Sequence, residues 1–154
     1  MAGQWFDLQK SGKRTLGARW VRAARRFWFL PALSDTTGKR LTYGQALTSA
    51  IALSDVIHRR AEGEDKIGIL LPSSAGGALA NMAVTLLGQI PVNLNFTASA
   101  DALGSAIRQC QIKTVISSRA FLQKMEGLKI PDGTVYLEDL ASEITSTAKA
   151  AAFL

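Results

Sequence analysis

The chain has 154 residues, 47% hydrophobic and 19% charged, the balance of an ordinary globular unit the size of one domain. Its net charge of +6 is concentrated at the front: residues 1–40 hold nine Lys or Arg against two Asp, and the remainder is nearly neutral, so attraction to phosphates or anionic lipid heads must come from that segment. A single cysteine, Cys110, excludes an internal disulfide, and a single histidine, His58, excludes histidine triads and multi-histidine metal sites within the chain.

Residues 1–14, MAGQWFDLQKSGKR, lack the apolar core of a secretory signal and read as a flexible N-terminal segment. Residues 15–30, TLGARWVRAARRFWFL, follow the period of an amphipathic helix with Thr15 as its N-cap. At 100° per residue, Leu16, Trp20, Ala23, Ala24, Phe27 and Trp28 gather on one side, and Arg19, Arg22, Arg25 and Arg26 on the other. FLPALSD and KRLTY then flank a DTTG turn, the pattern of a small hairpin whose first arm carries Pro31 and so belongs at an edge.

Thr42 and Gln45 form a capping-box pair opening a helix that runs to Arg60, with Leu47, Ala50, Ile51, Ser54 and Ile57 or their near neighbours expected inside. From Lys66 the chain alternates. Strands are expected at 67–71, 91–95, 113–117 and 134–139, and helices at 74–87, 99–110 and 119–125. Apolar strands separated by helices imply an α/β fold, a mainly parallel sheet with helices on both faces. Gly88, Pro91 and Asn93 interrupt the longest apolar stretch, so no run reaches membrane-spanning length.

Little in this pattern carries chemistry. The loop LPSSAGG, residues 71–77, lies where a phosphate-binding turn would lie, yet it lacks both G-x-G-x-x-G and the Lys-Ser/Thr pair of a P-loop. It reads instead as a strand-to-helix junction, with Ser74 as cap and Gly76, Gly77 and Ala78 letting the helix lie close to the sheet. Asn93 and Asn95 put two amides on one side of a strand. Glu62, Glu64 and Asp65 form an acidic turn, and Glu138 and Asp139 follow the last strand; acid–base work would require their burial in a cleft. Cys110 reads as a small hydrophobe at a helix end. The face formed by Arg19, Arg22, Arg25 and Arg26, interleaved with Trp20, Phe27 and Trp28, matches an interfacial membrane helix, and no nucleic-acid-binding motif accompanies it.

The order of GKRLTYGQAL, EDKIGILLPSSAGGALANMAVTLLGQIPVNLN and IRQCQIKTVISSRAFLQK resembles the N-terminal part of adenylate-forming acyl synthetases, the AMP-binding superfamily. Thr42–Tyr43 match its capping turn, Ile67–Pro72 its first core strand, and Gly88, Pro91, Val92 and Asn93 its G-x-x-x-P-[LV]-N segment; Ser73 stands where the family usually has Asn. NLNFTAS, IKTVISSRAFLQK and VYLEDLASEITSTAK are similar to one branch, the bacterial 2-acylglycerophosphoethanolamine acyltransferase/acyl-acyl carrier protein synthetases.

The resemblance implies an N-terminal subdomain of the adenylate-forming fold over residues 15–154. The parent would be a cytoplasmic ligase, in contact with the inner face of the cytoplasmic membrane through the arginine face. With ATP and Mg²⁺ it would activate a fatty acid to an acyl-adenylate, then pass the acyl group to acyl carrier protein or coenzyme A. The family's lysine-bearing phosphate loop, adenine segment, ribose-binding aspartate and catalytic lysine match no position here. No catalytic or cofactor-binding residue is therefore carried over, and the chain alone is expected to be inactive. Its end, AKAAAFL, has no helix stop signal and reads as a cut. A second reading makes the chain a membrane- or carrier-protein-binding adaptor acting through its basic helix.

Overall fold

The computed structural model describes residues 15–125 and 128–144. The segment 1–14 and the end 148–154 lie outside the described residues. Helix α1 (Leu16–Arg26) is capped by the Thr15 hydroxyl, which accepts from the Ala18 amide. It stops earlier than its periodicity predicts. Phe27 and Trp28 lie in a turn, because Tyr43 donates to the Leu30 carbonyl and Gly44 to that of Trp28, drawing the chain away toward the next helix. Pro31 reinforces the break, since the residue before a proline is pushed out of helical geometry.

Strands β1 (Pro31–Ser34) and β2 (Arg40–Thr42) form the antiparallel hairpin that the turn residues predict. In the turn between them Gly38 takes a φ of 85°, a left-handed conformation natural to glycine. Helix α2 (Tyr43–Arg60) follows, with both arms of its capping box made: Thr42 Oγ1 accepts from the Gln45 amide and Gln45 Oε1 from the Thr42 amide. The helix is buried on most of its circumference, including Ala46, Leu47, Ala50, Leu53, Val56 and Ile57. Ile51, expected inside, is only half-buried.

The main sheet has the order β4-β3-β5-β6 and is parallel throughout. Its strands are β3 (Lys66–Ile69), β4 (Ile90–Asn93), β5 (Val115–Ser117) and β6 (Thr134–Tyr136). The central strands β3 and β5 are buried almost throughout, whereas the edges are half-covered. Pro91, which lacks a backbone donor, is tolerated because β4 pairs on one side only.

Helices cover both faces. On one, Ile67, Ile69 and Ile116 meet α2 and helix α3 (Ala75–Leu86) through Leu53, Ile57, Ala80 and Ala83. On the other, Leu70, Leu94 and Val115 meet helix α4 (Ala100–Cys110) through Leu103, with Cys110 half-buried beside them. Ser117, fully buried, donates its hydroxyl to the Leu70 carbonyl at 2.8 Å, so the core holds no loose donor there.

Helices α5 (Arg119–Leu122) and α6 (Leu137–Glu143) flank β6. The strand expected over 134–139 is therefore shorter, and its second half is the first turn of α6. Glu138 and Asp139 suit the positive end of a helix, and both find partners across from it: Ser118 bonds Glu138, and Arg119 grips Asp139 with two 2.7 Å bonds.

Gly68, in the middle of β3, leaves no room for a side chain on the α4 face. A β-carbon there would stand 3.1 Å from Ile112 Cγ2, Leu94 Cδ1 and Val115 Cγ2 at once. Gly68→Val should therefore overpack the α4 face and destabilise the chain by about 1–3 kcal/mol. Urea unfolding reads this as a lower midpoint at unchanged slope; an unchanged midpoint would mean that this face is looser than described.

Candidate functional site

A cleft of about 800 Å³ lies at the carboxyl ends of β3 and β4. Open parallel sheets bind ligands in this kind of place, where the strands stop and loops take over. Its floor is Ile69 and Leu94; its walls are the junction Leu71–Ala75 with Gly77 and Ala78, the loop Asn93–Phe96 and the tip of the hairpin, Leu33–Thr36. Among these lining residues Asp35 is the one charged group.

Asp35 decides what the junction can do. Its Oδ2 accepts from the Ala75 amide at 2.9 Å, at the N-terminus of α3, forty residues along the chain. Its Oδ1 accepts from the Thr37 amide and hydroxyl and from the Lys39 amide, which closes the hairpin turn. The Thr37 hydroxyl first, and then the Ala75 amide, hold this carboxyl down at about 2, against the opposing effect of desolvation. A second donor of this first turn is also taken, since Ser74 Oγ accepts from the Gly77 amide at 3.1 Å. A helix start that would otherwise attract a phosphate already holds the protein's own anion.

LPSSAGG is thus a strand-to-helix junction, as its residues suggest, with a different reason for its glycines. A β-carbon on Gly77 would fall 2.8 Å from the Pro72 carbonyl oxygen, and one on Gly76 would fall 3.2 Å from Leu137 Cδ1. They admit the loop and α6 rather than the sheet. The two amides expected on one strand serve local structure, and Asn95 lies in the loop beyond β4. Asn93 exchanges a reciprocal pair of hydrogen bonds with Asn81 of α3 (2.9 and 3.0 Å), and Asn95 accepts from the Thr97 amide and hydroxyl.

Of the other carboxylates singled out from the sequence, Glu62 and Asp65 are exposed, and Glu64, Glu138 and Asp139 are structural ties. Glu64 accepts from the Thr114 amide and hydroxyl, fastening the acidic turn to the start of β5. Burial works against the charge of Glu138, but its bonds from the Ser118 hydroxyl and nearby amides outweigh that and leave its pKa lowered. The hydrogen bonds from Arg119 lower that of Asp139. His58 is exposed on the last turn of α2. Among the described residues, no group of three or more His, Cys, Asp or Glu is placed to hold a metal ion. The structure puts Arg19, Arg22, Arg25 and Arg26 together on the outer face of α1, all exposed and remote from the cleft lining.

Sequence reasoning missed Asp35 and Asn81. Asp35 stood only as a turn residue in DTTG, and no local signal ties it to an amide forty positions away.

The family model described as "AMP-binding enzyme" matches residues 20–152. The chain is similar in structure to the N-terminal subdomain of Klebsiella oxytoca NpsA in complex with 3-hydroxybenzoyl-AMSN, with a TM-score of 0.72 at 17% identity, covering 85% of this chain and 32% of that one. It is similar also to the N-terminal domain of FACL13 from Mycobacterium tuberculosis, with a TM-score of 0.71 at 20% identity over 86% of this chain and 36% of that one. A third likeness is to a Mycobacterium tuberculosis fatty acyl CoA synthetase, with a TM-score of 0.70 at 20% identity over 86% and 28%. At these identities the likeness concerns the fold. The chain spans about a third of the length of the structures it matches.

Because the folded state holds the Asp35 carboxyl below its ordinary 3.8, its stabilisation is complete above that pH and is lost as pH falls toward about 2. Asp35→Asn should lower the melting temperature at pH 7, and the gap from the unaltered chain should close across that acid window. Thermal melts followed by circular dichroism between pH 2 and 7 check this; a constant gap would show that the carboxylate charge plays no part.

Proposed function

The chain belongs to the AMP-binding enzyme family, and from that premise we propose that it forms the N-terminal supporting wall of an ATP-dependent fatty acyl synthetase. In the whole enzyme, ATP and a fatty acid give an acyl-adenylate and pyrophosphate; the acyl carbonyl then passes to the thiol of acyl carrier protein or coenzyme A, releasing AMP. A fatty acyl substrate is supported by the similarity to FACL13 and to a fatty acyl CoA synthetase. Acyl carrier protein as acceptor is supported by NLNFTAS, IKTVISSRAFLQK and VYLEDLASEITSTAK, which resemble the acyl-acyl carrier protein synthetase branch.

One observation carries the supporting role: Asp35 on the first amide of α3. A triphosphate brought there would meet a carboxylate instead of free N–H donors, and no lysine or arginine lines the cleft to offset it. The residues present do not fit ATP or its Mg²⁺, so no catalytic step is derived from them. Their part is mechanical. The buried sheet and α2 fix the carboxyl-end loops, and those loops present Pro72–Ser74 and Asn95–Phe96 as a shaped surface beside which the reactive groups of the enzyme assemble.

The 154-residue chain, given ATP, Mg²⁺, a fatty acid and either acceptor, should release pyrophosphate only at the background rate in a coupled assay. Turnover above background, abolished by a chelator, would overturn the supporting role. A coding sequence that continues past Leu154 into a Thr/Ser/Gly-rich loop ending in Pro-Lys-Gly is the finding expected beside it.

A further inference from the structure

Among the described residues, the outer face of α1 is positive charge without an ion-pair partner. Arg19, Arg22, Arg25 and Arg26 are all exposed, residues 15–34 contain no Asp or Glu, and none of the ion pairs among the described residues involves these arginines. Arg26 alone has a neighbour of note, the Phe27 ring at 5.5 Å. From Arg19 to Arg26 the helix rises about 10 Å, so the four guanidinium groups form a short, dense cationic stripe.

An interfacial helix in the usual sense would sink its apolar side into the bilayer. This one cannot. Gly17 and Ala24 are buried, Trp20 packs on the main core, and a β-carbon on Gly17 would already stand 3.2 Å from the Thr85 carbonyl oxygen. Exposed apolar groups instead flank the stripe along the chain. Leu16 is 73% exposed before it; Phe29 and Leu30, 86% and 54% exposed, follow it in the turn. That turn is braced, with Leu30 donating to the Phe27 carbonyl and accepting from Tyr43, so the two side chains are held outward rather than folded back.

We propose that this helix and the turn after it dock the protein onto an anionic lipid bilayer. The arginines contact lipid phosphates, and Phe29 and Leu30 enter the boundary between headgroups and acyl chains. A lipid surface fits better than an acidic protein. The arginines fan over about 120° of the helix circumference, which suits a continuous negative plane more than a few discrete carboxylates, and an exposed Phe29 after them supplies the insertion that a bilayer rewards.

The test is co-sedimentation of the 154-residue chain with vesicles of phosphatidylcholine alone or containing about 30% phosphatidylglycerol, at salt from about 50 to about 300 mM. Binding is expected to the anionic vesicles only, at least tenfold weaker at the higher salt. Changing Arg19, Arg22, Arg25 and Arg26 together to Gln should reduce it at least tenfold. Phe29→Ser with Leu30→Ser should weaken it several-fold while leaving its salt dependence unchanged. All these side chains are exposed, so circular dichroism should show the variants folded. Failure to bind anionic vesicles at low salt, equal binding to neutral vesicles, or a loss of less than tenfold in the arginine variant overturns the proposal. Binding of an acidic carrier protein without vesicle binding would assign the face to a protein partner instead.

Discussion

Strand β3 meets water on neither face, and that constraint organises the rest of the molecule. Ile67 and Ile69 point into the layer built by α2 and α3, while Leu70 and the bare backbone of Gly68 meet the layer built by α4. A parallel pair cannot be closed by a tight turn, so each return to the sheet must bring a helix across a face. The crossovers that connect the strands are therefore the same elements that cover them. α2 completes one side, which explains why it is buried round most of its circumference although it belongs to no crossover between strands of the sheet.

Where the strands end, polar backbone appears and needs partners. The molecule supplies them internally: Asp35 and Ser74 at the start of α3, Ser117 at the carbonyl of Leu70, Asn81 against Asn93. Each bond removes a group that might have bound something else. The carboxyl-end cleft consequently has the position of a ligand site with the first amide of its helix terminus already occupied, and its one charge has the wrong sign for a phosphate. Position in a fold does not by itself confer function; here the occupied amide of Ala75 separates the two.

The long-range polar ties also distribute rigidity. Glu64 to Thr114, Gln89 to the carbonyls of Ala61 and Glu64, and Arg119 to Asp139 each join segments distant in sequence. The Arg119–Asp139 pair is exposed, so its energetic value is modest, whereas the Glu64 and Gln89 bonds are part-buried. Their effect is geometric, holding loop ends in register with a core whose apolar packing specifies fewer directions.

The sequence alone placed the first five helices, the succession of strands along the chain, the hairpin and the caps at Thr15, Thr42 and Ser74, because these are local matters: hydrogen bonds three residues apart and side chains that repeat on one face. It also marked the four arginines as a group. The three-dimensional structure decided what depends on contacts between distant residues. It ended α1 at Arg26 through bonds from Tyr43 and Gly44, made residues 137–139 of the expected strand the first turn of α6, with partners at Ser118 and Arg119, and gave Gly77 its purpose at the Pro72 carbonyl. Above all it carried Asp35 across forty residues to the amide of Ala75. Only folding brings that carboxylate to that helix end, since no pattern along the chain encodes the distance between them.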